Sequence, residues 1–145
     1  AAVAEQSQTL ANGQALAKFR DLVRAQGGDV SQVDDPDLLP RADLVERIAV
    51  PQTGYVAQIS AREVGLAALD LGAGREKKTD SVDHAVGVIS HLRVGDQVKA
   101  GDRAFTIHAN SRERLEAARQ RLERAIVYRE HVQPPLPLFY DLIIG

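Results

Sequence analysis

The most regular segment of the chain reads Val94-Gly95-Asp96-Gln97-Val98-Lys99-Ala100-Gly101-Asp102-Arg103-Ala104-Phe105-Thr106-Ile107. Its spacing is V-G-D-x-V-x-x-G-x-x-x-x-x-I. A glycine can supply a turn with positive φ, and each valine or isoleucine can face an apolar core. The spacing therefore predicts short strands that are joined by tight turns around an apolar interior.

This spacing resembles the hammerhead turns of lipoyl and biotinyl domains and of other barrel-sandwich hybrids. Such turns are usually structural, because patterns at the level of the fold are reused across functions. A carrier domain would also need an exposed lysine at a hairpin tip, and the chain contains no Met-Lys-Met or Asp-Lys-Ala tip. A stand-alone barrel-sandwich module of the lipoyl or biotinyl type, for binding or for structure alone, stays open as the alternative function.

The residues before this segment predict two strands and a helix. Residues 46–50 and 54–59 alternate apolar and polar side chains on either side of a Pro-Gln-Thr turn. Ser60 and Glu63 form a capping-box pattern, in which the serine oxygen accepts from an amide and the glutamate returns the bond. A helix is expected to begin there and to end at Gly72. Its predicted buried residues are Val64, Ala67, Ala68 and Leu71.

The residues around and after the segment 94–107 predict further strands and one more helix. Residues 83–89 predict a buried strand, and residues 97–98 and 104–108 predict two more. Asn110 with Glu113 predicts a second helix N-terminus, and the helix is expected to run to about Tyr128. Its apolar stripe is Leu115, Ala118, Leu122 and Ile126. Residues 138–144 predict a final strand.

The chain before residue 44 has a different character, which predicts the domain organisation. Residues 1–28 predict a helical segment, broken at Asn12-Gly13 and closed by Gly27-Gly28. Residues 29–43 are rich in aspartate and proline and predict a linker loop, which is either a linker or an ordered loop. Residues 44–145 then form the main domain, and the fold class is α+β. The helical pair is too short to bury its own apolar face, so we expect it to pack on something else; this face carries Leu16, Phe19, Leu22 and Val23.

Composition excludes several classes of function. The 18 lysines and arginines are interleaved with 20 aspartates and glutamates, and the net charge of −2 predicts no nucleic-acid and no anionic-membrane partner. No window approaches the ~18 apolar residues of a membrane span, so a cytoplasmic protein is expected. The absence of cysteine excludes disulfides, thiolate zinc sites and cysteine nucleophiles. The chain has no methionine, even at position 1, so we expect a fragment or a processed chain.

Two groups of residues are candidates for ligand-binding sites, and neither pattern supports one. Gly72-Ala73-Gly74-Arg75 could be a phosphate-binding loop, but it follows a helix C-terminus, where the dipole is negative. A helix cap with a flexible loop is the leading interpretation. The four histidines, at positions 84, 91, 108 and 131, have no spacing typical of metal ligands, so no metal site is predicted. His84 and His91 are expected to face opposite sides of one strand.

The order of these features closely resembles the C-terminal third of the pyrimidine-nucleoside and thymidine phosphorylases. The resemblance covers nearly the whole chain. The segments that carry it are Asn12-Gly13-x-Ala15-Leu16-x-Lys18-Phe19, Ala25-Gln26-Gly27-Gly28-Asp29, Asp34-Asp35-Pro36 to Leu39-Pro40, Gly54-Tyr55-Val56, Leu71-Gly72-Ala73-Gly74-Arg75, Asp83-x-Ala85-Val86-Gly87, Gly95-Asp96 and Ile107-His108-Ala109-Asn110.

The resemblance implies a glycosyltransferase of nucleoside salvage, in which residues 1–28 are the end of the upstream domain and residues 44–145 are an α/β-hammerhead domain. In that family, inorganic phosphate as co-substrate attacks a pyrimidine nucleoside and releases the base and a pentose 1-phosphate, without a cofactor. The phosphate loop Lys-His-Ser-Thr-Gly-Gly and the base-holding residues of the family lie upstream, and no such motif occurs here. No catalytic residue is therefore assigned, and the chain alone is expected to be inactive. The resemblance implies a homodimeric parent, whereas this chain alone could be a monomer.

One segment is predicted to take part in closing the active-site cleft of the parent. It follows a helix directly, is rich in glycine and polar residues, and carries basic side chains. Closure of a cleft excludes water and brings bound substrates together. The predicted cleft-closure residues, which we call the 73–80 loop, are Ala73, Gly74, Arg75, Lys77, Lys78 and Asp80.

Overall fold

A computed structural model describes residues 2–75, 77–137, 139 and 141. The chain divides into two compact units, Ala1–Pro40 and Arg41–Gly145. Helices occur in both units, and all the strands of the described part lie in the second. The α+β class predicted from the sequence is confirmed. The assignment of residues 1–28 to the end of an upstream domain stays a prediction.

The first unit is helical. Its elements are α1 (Ala2–Ala11), α2 (Gln14–Ala25), the single turn α3 (Ser31–Asp34) and a 3-10 turn (Pro36–Leu38). The predicted break between the first two helices is confirmed, because Gly13 has a φ of 80°. None of the α2 residues is buried, and Phe19 is 51% exposed.

The segment predicted as a linker or an ordered loop contains two short helical turns. Asp29 accepts a hydrogen bond from the Ser31 N–H at 2.9 Å, and Asp35 accepts one from the Asp37 N–H at 3.0 Å. Each carboxylate satisfies an amide that would otherwise lack a partner at the start of a helical turn. The aspartates that favoured a loop in the sequence therefore start two short helical turns.

The described part of the second unit contains two antiparallel three-stranded sheets and two helices. Its elements are β1 (Leu44–Ala49), β2 (Gly54–Ile59), α4 (Ala61–Leu71), β3 (Gly87–Ser90), β4 (Gln97–Val98), β5 (Arg103–Ala109), α5 (Arg112–Glu123) and β6 (Ile126–Arg129). The strand order is β1-β5-β3 in one sheet and β4-β2-β6 in the other. The helices α4 and α5 pack against each other, and α5 also packs on β5.

The core lies between these sheets and helices. β5 carries four consecutive buried residues, and Phe105 and Ile107 are fully shielded from solvent. Leu115 and Leu122, from the predicted stripe of α5, are also fully buried. Each such side chain contributes about 1.5–3 kcal/mol through removal of apolar surface from water. The predicted stripe of α4 is confirmed at Ala67 and Leu71.

The two glycine turns of the hammerhead pattern have the same construction. Gly95 and Gly101 have φ values of 98° and 92°, as the sequence predicts. The aspartate that follows each glycine accepts a hydrogen bond at 2.7 Å from the amide three residues before it. Each turn thereby closes on itself, which accounts for the repeated Gly-Asp pair.

Each of these turns also holds one buried valine. Gly101 donates its N–H to the Val50 oxygen, and the Val50 N–H donates to the Asp102 oxygen. Gly95 and Asp96 bind Val56 in the same way. The two turns therefore hold the chain directly after β1 and within β2.

Two predicted elements have different bounds in the structure. The strand expected from residue 83 begins at Gly87, because the Asp83 side chain accepts from the Ala85 N–H at 2.9 Å and forms a turn. For the same reason His84 and His91 do not share a strand. The helix expected to reach Tyr128 ends at Glu123, because residues 126–129 pair with β2 instead.

The capping patterns are used differently from the prediction. Ser60 accepts from the Glu63 N–H at 3.3 Å, but its own N–H donates to the Ala125 oxygen, so the glutamate does not return the bond. Ser111, rather than Asn110, caps α5 by accepting from the Arg114 N–H at 3.4 Å. The strand predicted over 138–144 lies largely outside the described residues.

Candidate functional site

The 73–80 loop begins where α4 ends and returns to the same point. Gly72 has a φ of 102° and ends the helix, as predicted. Its carbonyl oxygen accepts from the Asp83 N–H at 3.0 Å, so the chain leaves α4 and comes back beside it. The loop is therefore anchored at its base.

The base of the loop is closely packed. Ala73 packs against the core, and its N–H donates to the Ala68 oxygen at 3.0 Å. The Gly72 N–H donates to the Leu69 oxygen at 2.9 Å. Because both amides are engaged with helix carbonyls, they do not form a cradle for phosphate, and the helix-cap interpretation is correct. A Cβ atom at Gly74 would lie 2.8 Å from the Leu69 Cδ1 atom, so a side chain here would require the flexible end of Leu69 to move.

The tip of the loop is a hydrogen-bonded turn. The Lys77 N–H donates to the Asp80 carboxylate at 2.8 Å, and the Asp80 N–H donates back to the Lys77 oxygen at 3.1 Å. Arg75, Lys77 and Lys78 are exposed, and none of them forms an ion pair with another residue that the structure describes. Three exposed cations on one loop can attract an anion.

A polar groove runs beside the loop, between α4 and α5. Arg121 crosses it and binds Asp70 at 2.8 Å and Glu63 at 3.0 Å. The hydrogen bonds to Asp70 and to Glu63 raise the pKa of Arg121 above its ordinary value. Arg114 reaches the Leu71 oxygen at 3.4 Å, close to the start of the loop. The groove wall is thereby held in place from α5.

A polar bridge lies behind the loop, and sequence reasoning did not find it. Asn110 donates its Nδ2–H to the Asp83 carboxylate at 2.8 Å and accepts from the Asp43 N–H, also at 2.8 Å. The Ala85 N–H and then the Asn110 amide lower the pKa of the Asp83 carboxyl below its ordinary value. The three residues Asp43, Asn110 and Asp83, which we call the polar bridge, are far apart in sequence. No local pattern could have joined them.

The histidines do not form a common site. His91 lies 2.8 Å from the Thr106 hydroxyl through its Nε2 atom, and His84 is exposed. Within residues 2–75, 77–137, 139 and 141, no three histidine, aspartate or glutamate side chains are grouped to hold a metal ion. In the same part of the chain, no helix is both long and apolar enough to cross a membrane.

The sequence model of one protein family matches this chain. It is described as the pyrimidine nucleoside phosphorylase C-terminal domain, and it matches residues 55–129, which is more than half of the chain. The matched range includes the 73–80 loop, both glycine turns and the helices α4 and α5.

Individual relatives agree with the family match. A pyrimidine-nucleoside phosphorylase of Geobacillus stearothermophilus is 42% identical over 137 residues, which is 94% of this chain and 31% of the relative. One of Staphylococcus haemolyticus is 39% identical over 129 residues, or 89% of this chain and 30% of the relative. A third, of Bacillus subtilis, is 44% identical over 107 residues, or 74% of this chain and 25% of the relative.

The chain thus spans less than a third of the length of these curated relatives. The matched range contains the fold elements that the hammerhead pattern predicts, in the predicted order. The chain belongs to the family of the pyrimidine nucleoside phosphorylase C-terminal domain.

Proposed function

We propose that this chain is the C-terminal part of a pyrimidine-nucleoside phosphorylase and that it helps to close the active-site cleft. The parent reaction is the attack of phosphate on a pyrimidine nucleoside, which gives the free base and a pentose 1-phosphate. The observation that carries the proposal is the family match over residues 55–129, supported by relatives named as pyrimidine-nucleoside phosphorylases.

The 73–80 loop is the part that we assign to cleft closure. Its base is anchored at Gly72, its tip is closed by Lys77 and Asp80, and its cations face solvent. The hydrogen bonds at the base and at the tip restrict the loop, and such preorganisation reduces the conformational entropy that is lost when its cations meet an anion. The co-substrate phosphate and the sugar-phosphate product are both anions.

The catalytic groups of the parent lie outside this chain in our proposal. Phosphorolysis depends on holding the anion and stabilising the leaving base, and it needs no protein nucleophile. We therefore propose no catalytic residue here, no cofactor, and a homodimeric parent in which inorganic phosphate is the co-substrate. The chain alone is expected to be inactive.

A phosphate-dependent cleavage assay with thymidine and uridine tests the family role. It is run on this chain and on a complete phosphorylase that carries this chain at its C-terminal end. Activity in the complete protein alone supports the proposal. Activity in the short chain would mean that the active site has been misplaced, and activity in neither would favour the stand-alone barrel-sandwich module. Mass spectrometry for lipoate or biotin on a lysine then distinguishes a carrier from a structural module.

A triple alanine variant at Arg75, Lys77 and Lys78 tests the role of the loop. The expected result in the complete enzyme is a fall of about tenfold in kcat/KM for phosphate, with a steeper loss at low ionic strength, because the lost attraction is electrostatic.

The matched control removes three other exposed cations, Arg93, Lys99 and Arg103, which lie in or near the glycine turns. It changes the net charge by the same amount and should leave kcat/KM unchanged. If the loop variant kept the turnover and the KM of the wild type, the assignment of cleft closure to this loop would be wrong.

A further inference from the structure

Two motifs of the sequence, one around Asp83 and one ending at Asn110, have no part in the function proposed so far. They are 27 positions apart, and the structure brings them into direct contact through a hydrogen bond of 2.8 Å. Both belong to the polar bridge. The contacts at each end of the bridge show which segments of the chain it joins.

One end of the bridge holds the loop. The Asp83 carboxylate accepts from the Ala85 N–H at 2.9 Å, and the Asp83 N–H donates to the Gly72 oxygen at 3.0 Å. Asp83 therefore contacts both the residue at which the 73–80 loop leaves α4 and the segment that leads on to β3. A shift of this carboxylate would displace the anchored base of the loop.

The other end of the bridge holds the start of β1. Asn110 accepts from the N–H of Asp43, the last residue of the predicted linker, which is 67 positions away in sequence. An asparagine amide offers an acceptor and donors on one short side chain, so it can serve a backbone N–H and a carboxylate together. The partners fix its orientation, because the backbone N–H needs an acceptor and the carboxylate needs a donor.

We propose that Asn110 is a positioning residue for the phosphorylase reaction, which fixes the 73–80 loop to the linker end of β1 through Asp83. This inference rests on the proposed function. The linker and the loop are then joined by two hydrogen bonds in series, so that a displacement of Asp43 is passed to the base of the loop. The side chain acts on the loop and not on the substrate.

A swap of the two side chains separates positioning from general stability. Asn110→Asp keeps an acceptor for the Asp43 N–H but sets two carboxylates against each other. Asp83→Asn keeps an acceptor for the Ala85 N–H but sets two amide groups against each other. The double variant restores each hydrogen bond with the roles of the two side chains exchanged, so it should recover what each single variant loses.

Ser111→Ala is the matched control. Ser111 is the neighbour of Asn110 and caps α5, so its loss lowers stability at the same place without touching the bridge. Thermal unfolding of all variants is recorded first, and kinetics are then measured well below the lowest unfolding temperature. A role in stability alone would make Ser111→Ala and Asn110→Asp behave alike.

Two quantities are measured. Hydrogen exchange of residues 73–85 is followed in this chain, and kcat and KM for phosphate are followed in the complete phosphorylase. Each single bridge variant is expected to raise exchange and to lower kcat/KM by about tenfold, whereas the double variant returns both to near the wild-type values. Ser111→Ala is expected to change neither.

The proposal is overturned if the double variant fails to recover activity, if Ser111→Ala costs as much as Asn110→Asp, or if exchange changes while kcat/KM does not. A complete protein without any phosphate-dependent cleavage would instead overturn the proposed function, and this inference with it. An active wild type with bridge variants of unchanged activity would overturn this inference alone.

Discussion

Replacement of Gly54 by alanine tests a close approach between β2 and β6. Gly54 opens β2 with a φ of 159°, and a Cβ atom there would lie 2.5 Å from the carbonyl oxygen of Arg129 in β6. Ordinary van der Waals contact begins near 3.4 Å, and the obstacle is backbone rather than a flexible side chain. The clash can be relieved only if β6 moves away from β2.

The expected cost has two parts. An unfavourable φ costs an L-residue about 1–2 kcal/mol. Separation of the strands at the Tyr55–Arg129 pair weakens one or two ladder hydrogen bonds, each worth about 0.5–1.5 kcal/mol. The free energy of unfolding should therefore fall by about 2–4 kcal/mol in Gly54→Ala, which is a large fraction of the stability of a small domain.

Two other glycines separate these contributions. Gly101 has a φ of 92°, and nothing lies within 4 Å of the position of an added Cβ atom. Gly101→Ala should therefore lower the free energy of unfolding only by the conformational part, about 1–2 kcal/mol. Gly65 lies inside α4 and also has open space around it. Gly65→Ala should therefore stabilise the chain by about 0.5–1 kcal/mol.

Urea unfolding followed by far-ultraviolet circular dichroism measures all three variants, because the chain has no tryptophan to serve as a fluorescent probe. The expected order of stability is Gly65→Ala, wild type, Gly101→Ala and then Gly54→Ala. If Gly54→Ala were no less stable than Gly101→Ala, the close approach of β2 and β6 would not be a constraint, and the reasoning from the Cβ distance would be refuted.

Three further predictions concern the core, a helix cap and pH. Leu122→Ala should lower the free energy of unfolding by about 2–5 kcal/mol because Leu122 is fully buried, whereas Val127→Ala at a 43% exposed position should change it by less than about 0.5 kcal/mol in the same urea titration. Ser60→Ala should cost about 1 kcal/mol through loss of the α4 cap, and an unchanged urea midpoint would show that the cap contributes nothing. The pKa of Asp83 is lowered by folding, so its stabilising contribution is present above the ordinary aspartate pKa of 3.8 and is lost as the pH falls through the lower folded-state value. Asp83→Asn should therefore reduce the loss of stability on acidification below that pKa, and an identical acid-unfolding curve for variant and wild type would contradict this.

Local patterns predicted most of the fold. The turns at Gly95 and Gly101, the strand Gly54–Ile59 and the end of α4 at Gly72 lie where the sequence places them. These features depend on glycine at positive φ, on alternation of apolar residues and on helix capping, which are properties of a few neighbouring residues. The glycine-rich loop after α4 was predicted for the same reason.

The wrong predictions arose where distant partners compete with local preference. Ile126 continues the helical spacing of Leu122, yet residues 126–129 pair with β2, whose partners are some seventy positions earlier. Ile126, Val127 and Tyr128 are β-branched or aromatic and favour a strand, so the pairing overrides the helical period. Glu63 likewise does not form the predicted capping box. It binds Arg121, which is distant in sequence, so the local pattern could not predict this ion pair.

In the candidate site, too, the locally determined part could be predicted and the part that depends on distant partners could not. The members of the 73–80 loop were predicted from composition, and their role stays a prediction. The polar bridge was not predicted, because Asp43, Asp83 and Asn110 come from three separate segments. A hydrogen bond between residues 27 or 67 positions apart has no signature in a single sequence.

The pairing of the strands sets the order in which the second unit can fold. β1 has its hydrogen-bonded partner in β5, and β2 finds its partners in β4 and β6, so the first two strands of the second unit must wait for strands that begin only at Gln97. Closure of loops this long is entropically costly, and a fold dominated by such distant pairs forms slowly. While β1 and β2 wait, Ile48 and Val56 stay open to contact with other nascent chains. Residues 44–59, which carry these two unpaired strands, are therefore the place where we expect aggregation to start during synthesis.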